Sequence, residues 1–277
     1  MLSTSDRNLE QRTLVIMSAR PYVSAEDLRA AASRGAKKFS LAAVYKVLHK
    51  LQASGVVVKT GTRYSFSLRW VFEMFTYADK LAATYFSEEY LKTLLPQRGK
   101  KLSWKFSELS RCNEFWNQLL LALLKHTPAA NVFSWVPYPW FVLLHNDRES
   151  RLQQAFRMSG RRFYTSFGDG GHLEQDVRKV YGHSNQIISF SEGPLSRQYS
   201  KYVDVVSDYV LTVALDAETE KRVAKIFSGS KRAALRNSAH NLEALVKRCA
   251  VSITLEFSPK KAKAIRRQLA EFFGVSE

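Results

Sequence analysis

At 277 residues, the chain has room for one large domain or two ordinary ones. Its net charge of +17 points to a polyanionic partner, nucleic acid before an acidic membrane surface. No run of about twenty apolar residues exists to cross a bilayer, and no charged-then-apolar leader opens the chain. The two cysteines, Cys112 and Cys249, give neither a disulfide framework nor a metal spacing, so a cytoplasmic protein is expected.

Leu9 to Arg20 carries Leu9, Thr13, Ile16 and Met17 at helical spacing and stops before Pro21. Ser24 reads as the cap of a second helix, with Glu26 and Asp27 in its first turn, where acids suit the helix dipole. Leu28 and Ala32 carry that helix on to Gly35. Ser40 caps a third helix, in which Leu41, Val44, Leu48 and Leu51 form the apolar stripe and Gly55 supplies the left-handed stop. The opposite face holds Ser40, Ala43, Lys46, His49 and Lys50, small or basic groups without an acid. Val56 to Val58, a turn at Gly61-Thr62, and Tyr64 to Leu68 then predict a hairpin whose tip is made positive by Lys59 and Arg63.

Helix, helix, helix, hairpin is the winged helix-turn-helix order, in which the third helix enters the major groove. Val23-Ser24-Ala25-Glu26-Asp27-Leu28, Ser40-Leu41-Ala42-Ala43-Val44-Tyr45-Lys46-Val47-Leu48 and Gly55-Val56-Val57 resemble the DNA-binding half of ferric-uptake-type regulators. That resemblance covers about the first quarter of the chain and implies that Tyr45 and Lys46 face DNA. Residues 1–70 also concentrate charge, with twelve basic side chains against four acids. The metal-binding half of that family has no counterpart. The six histidines (His49, His126, His145, His172, His183, His240) are scattered without His-X-His or Cys-X-X-Cys, so no metal or cofactor is expected.

Trp70 to Leu95 reads as one or two connector helices ended by Pro96, and Gln97 to Lys101 as a solvated turn. From Leu109 to His126, Phe115, Trp116, Leu119, Leu120, Ala122, Leu123 and Leu124 make so broad an apolar face that it needs a deep core or a second subunit. Strands near 133–144, 162–167, 186–190, 202–206, 209–215 and 251–257 alternate with helices near 147–160, 173–181, 217–227, 233–248 and 259–273, which implies an α/β domain. Asp216 and Ser258 read as helix caps, with Pro259 at the first helical position. Trp135 to Phe141 packs aromatics around two prolines, as core or as an apolar pocket.

For catalysis the best candidate is Phe167-Gly168-Asp169-Gly170-Gly171-His172, a glycine-rich turn that could cradle an anion, with Asp169 and His172 as base and orienter. It matches neither GxGxxG nor the P-loop, and a structural turn is the simpler reading. His-X-Lys-X4-Asp, the phospholipase D pattern, is absent, as is Gly-X-Ser-X-Gly.

The expected fold class is therefore α+β to α/β. Residues 1–70 form a winged helix-turn-helix, 71–128 a helical connector available for dimerisation, and 129–277 an α/β sensor or oligomerisation domain. The expected function is a dimeric, sequence-specific transcription regulator without enzymatic activity, with double-stranded DNA as partner and a small molecule or protein as effector. Lys37, Lys38, Lys59 and Arg63 would hold phosphates, and Ser40, Ala43, Tyr45, Lys46 and His49 would face the groove, with Lys50 and Thr62 beside them. The alternatives are a nucleic-acid-acting enzyme docked by the winged helix, and an antitoxin or defence-system regulator that binds a protein.

Overall fold

The computed structural model describes residues 9–33, 38–85, 87, 90, 93–128, 130–143, 146–168, 177–178, 185–190, 193–195, 201–227 and 249–276, with the side chains of 146–151 left out. The chain divides into two units, Met1–Ser87 and Glu88–Glu277.

In the first unit the order is α1 (Leu9–Ala19), β1 (Val23–Ser24), α2 (Ala25–Ala32), α3 (Leu41–Ala53), β2 (Val57–Thr60), β3 (Arg63–Phe66) and α4 (Leu68–Tyr85). The local signals act as the sequence suggests. Ser24 closes a capping box with Asp27, and Ser40 Oγ accepts from the Ala43 amide. Beyond α3, Gly55 takes φ +73°, its amide donates to Gln52 O and that of Val56 donates to Leu51 O. That pair of bonds is a Schellman stop, and it turns the chain straight into β2. Leu9, Met17, Leu28, Ala32, Val44, Leu48, Leu51, Val57 and Tyr64 close one core. Beyond the predicted hairpin, β1 adds a third strand through Val23 opposite Tyr64, giving the antiparallel order β1-β3-β2.

The second unit is built on a seven-stranded mixed sheet. Its elements are β4 (Lys101–Phe106), α5 (Leu109–His126), β5 (Val132–Val136), α6 (Asn146–Met158), β6 (Phe163–Phe167), β7 (Gln186–Phe190), β8 (Tyr202–Val206), β9 (Tyr209–Leu215), α7 (Ala217–Phe227), β10 (Val251–Phe257) and α8 (Pro259–Phe273). Strand order is β4-β10-β9-β8-β5-β6-β7; β5, β6 and β7 run parallel and every other pairing is antiparallel. The mixed sheet makes the class α+β, rather than the alternating α/β arrangement. α8 covers one face over Phe133, Tyr164, Val203, Val205 and Val210. α5, α6 and α7 contribute Trp116, Leu123, Phe156, Val223 and Phe227 to the core on the other face. Residues 202–206 are buried on both sides, as befits a central strand.

Several expectations change here. The segment after Pro96 is not only a turn, since Lys101–Phe106 is an edge strand paired with β10. Residues 71–128 are therefore not purely helical. The broad face of α5 is resolved in favour of a deep core, because Leu109, Cys112, Trp116, Leu120, Leu123 and Leu124 are all buried in the second unit. The strand from Phe133 stops at Val136, ahead of Pro137, and Trp140–Leu143 forms a 3-10 turn. Trp140 is fully buried against Trp116 and Tyr202, so the aromatic segment is core. Ser258 stands at the N-cap of α8 without a side-chain capping bond. The predicted helices at 173–181 and 233–248 lie, apart from residues 177 and 178, outside the described residues.

Candidate nucleic-acid interface

α3 turns its buried stripe, Val44, Leu48 and Leu51, into the first unit's core. Its opposite, exposed strip is Ala42, Lys46, His49, Lys50 and Ala53. Tyr45 and Ala43 lie on the two borders of that strip, half-buried and packed against the core. The Tyr45 and His49 rings sit 6.5 Å apart, centroid to centroid. Lys46 and His49 are therefore the outermost polar groups of the helix, and Ala42 leaves room for close approach. Sequence reasoning missed Ala42, although it lies one turn before Lys46.

The remaining cations have varied surroundings. Lys50 Nζ pairs with Glu10 Oε2 at 2.6 Å, so part of its charge is answered within the unit. Such a mostly exposed pair contributes little to stability and leaves the ammonium accessible. Lys59 lies over the Tyr64 ring at 5.7 Å, and Arg63 donates to Tyr22 O at 3.3 Å. Gly61 takes φ +61° in the two-residue turn, where a hairpin favours glycine, and places Thr62 at the exposed tip. Lys38 is exposed just before Ser40, whose hydroxyl is occupied by capping. Lys37 lies outside the described residues. Tyr22 is exposed beside this hairpin with φ +62°, an uncommon conformation for an aromatic residue.

The second unit holds a buried polar group that sequence reasoning did not single out. Trp116 Nε1 donates to Asp204 Oδ2 at 2.6 Å and Ser134 Oγ donates to Oδ1 at 2.6 Å. Burial pushes the Asp204 carboxyl up to about 6, against the pull of those two hydrogen bonds. Asn113, Asn117 and Thr165 line the same cavity of about 40 Å³. A small-molecule site needs several hundred Å³, so this cluster is built to satisfy a buried carboxyl and not to hold a substrate. The signal was available as a lone acid in the apolar run Tyr202-Val203-Asp204-Val205-Val206.

The glycine-rich turn is described only to Gly168; Asp169 and His172 lie outside the described residues. A side chain at Gly168 would put its Cβ 2.7 Å from the Pro137 carbonyl oxygen, so this glycine serves close packing at the ends of β5 and β6. Cys112 and Cys249 are both buried, and burial pushes both thiols up, Cys249 to about 11. Among the described residues, no group of His, Cys, Asp and Glu could hold a metal, and no helix is long and apolar enough to cross a membrane.

No protein-family model and no curated protein matches the chain. Among solved structures, NucT from Helicobacter pylori is similar over 63% of this chain and 97% of that one, with 10% identity and a TM-score of 0.38. At that TM-score the likeness carries no argument about activity, and the expectation of a chain without enzymatic activity is not taken further. An overlap this loose assigns no reaction and no catalytic residue.

Proposed function

We propose that the first unit is a winged helix-turn-helix that docks the chain on duplex DNA. The observation that carries this reading is the exposed strip of α3. It presents Lys46, His49 and Lys50 with two alanines and no acid, on a helix that packs against the cationic hairpin. Small residues let a helix approach base edges, while Lys46 and His49 are hydrogen-bonding groups of groove-reading length. Lys38, Lys59 and Arg63 supply phosphate contacts, which position the helix without reading sequence. Tyr45, half-buried, supports the reading strip from its border.

Selection of duplexes from a random pool by the full-length protein tests this directly. An enriched motif is expected, and Lys46→Ala should lose about tenfold or more in affinity for it while flattening the preference at one base position. A pool that enriches no motif, or a Lys46→Ala protein that reads it unchanged, would overturn the assignment.

Docking serves one of two uses. In a transcription regulator, the second unit would carry an effector or oligomerisation role. In an enzyme acting on nucleic acid, its reaction would lie at the carboxyl ends of the parallel strands β5, β6 and β7, where such sheets place ligands. Prolonged incubation of the docked complex with end-labelled single- and double-stranded DNA separates them. Cleaved product assigns the enzyme, and intact DNA with a protected operator assigns the regulator.

A further inference from the structure

α4 stands out because none of its eighteen residues is buried. Leu68, Phe72 and Phe75 are 68%, 60% and 64% exposed, and Met74, Tyr77, Leu81 and Tyr85 are exposed as well. The polar residues Arg69, Glu73, Thr76, Lys80 and Thr84 recur three or four apart, which gathers them on one narrow strip. Arg69 Nε and Glu73 Oε1 meet there at 2.8 Å. Nearly all of the remaining circumference is apolar, interrupted by Asp79 near its border. A helix of this length draws most of its stability from packing such a face, not from propensity. An exposed apolar patch of this kind marks an interaction surface.

We propose that α4 is a self-association helix and that its occupant is α4 of a second copy of this chain. Three observations favour a second copy. The first is area. Seven large apolar side chains, each about half-exposed, offer on the order of 600 Å² per copy, or about 1,200 Å² for a two-fold pair, which reaches the range of stable interfaces.

The second is charge. Arg69, Glu73, Asp79 and Lys80 cancel, so α4 is neutral in a chain of net +17. Two copies can meet there without like-charge repulsion, while a polyanion finds nothing to attract it.

The third is shape. Val71, Ala78 and Tyr85 lie seven apart along the middle of the apolar arc, flanked by Met74, Phe75, Leu81 and Ala82. With a two-fold axis at Ala78, small residues meet at the centre, and Phe75 of each copy lies opposite Leu81 of the other. Such a surface is self-complementary, as an isologous pair requires.

The helix is firmly tied to the first unit. Ser67 donates through its amide to Val56 O and through its hydroxyl to Gly55 O, while the Trp70 amide donates to Ser67 Oγ. Phe66 stacks on Trp70 at 4.8 Å. Joining two α4 helices would therefore bring two first units together at a fixed spacing.

Sedimentation velocity on the full-length protein, with and without Ala78→Glu, tests the proposal. Wild type is expected at twice 31.6 kDa in the micromolar range, and Ala78→Glu, which sets like charges face to face at the axis, as a monomer. Because Ala78 is exposed, the variant is expected to fold, which circular dichroism checks. Under mild oxidation, Ala78→Cys should give a cross-linked pair, the native thiols being buried. A wild type that stays monomeric at 100 μM would overturn the proposal and mean that α4 is covered within its own chain or by another protein. A pair that Ala78→Glu leaves intact would also overturn it. DNA selection by the Ala78→Glu monomer shows separately whether the first unit binds duplex.

Discussion

Asp204 is a fully buried carboxyl that accepts from the Trp116 indole and the Ser134 hydroxyl. Its folded pKa, about 6, lies above the ordinary 3.8, so between those values the folded chain binds more protons than the unfolded one. The stability it contributes is therefore present below pH 4 and lost as pH rises through about 6, a cost of about 3 kcal/mol at neutral pH. Asp204→Asn should raise the melting temperature at pH 7 relative to wild type, with the gap closing toward pH 4. Differential scanning calorimetry across that window checks it, and a gap independent of pH would reject the assignment. Lys46 is exposed on α3, so Lys46→Ala is expected to change the proposed binding while leaving the melting temperature within about 1 °C, a surface effect.

At the scale of elements, short-range chemistry decides where helices begin and end. Ser40→Ala should cost about 1 kcal/mol in chemical denaturation, since it removes the only side-chain cap of α3. At the other end of the size range, Arg161 donates to Leu124 O at 2.7 Å, to Thr127 O at 2.5 Å and to Thr127 Oγ1 at 3.0 Å, closing the C-terminus of α5 with a cation. Arg161→Ala should cost about 2 kcal/mol by leaving those carbonyls unanswered, and an unchanged denaturation midpoint would count against that role.

The same locality explains what could be read in advance. Ser24, Ser40, Gly55 and Asp216 declare themselves within four residues of their partners; Asp216 accepts from the amides of Glu218 and Thr219 as its position suggests. β4 gives no such sign. Its first residue, Lys101, falls in the segment read as a solvated turn, and its ladder comes from β10, about 150 residues away in the chain. β1 is two residues long and exists only because β3 passes beside it. The basic face of α3 was legible from helical spacing, but its borders were not. The depth to which Tyr45 and Ala43 sink depends on how α1 and α2 pack around the helix. Arg161 and Asp204 were invisible as a clamp and a buried acid because their partners lie 34 to 88 residues away.

On the scale of the whole molecule, the charge of +17 is divided between a first unit that presents cations on α3 and its hairpin and a second unit with a covered, mixed sheet. The duplex binding proposed for the first unit would release counterions, so affinity should fall steeply with salt. Pairing through α4 would double the number of such contacts per assembly and tie them to the spacing of two half-sites. Dilution below the dimerisation constant should then weaken binding to a two-site duplex more than to a single site.

The most direct measurement is the slope of log affinity against log salt for the selected duplex, compared between wild type and Lys59→Ala/Arg63→Ala. Both side chains are exposed on the hairpin, where neither holds the core. A winged helix docked through that hairpin predicts a slope shallower by about two per bound first unit, with the base preference unchanged. An unchanged slope would contradict it, since the chain would then hold nucleic acid through another surface.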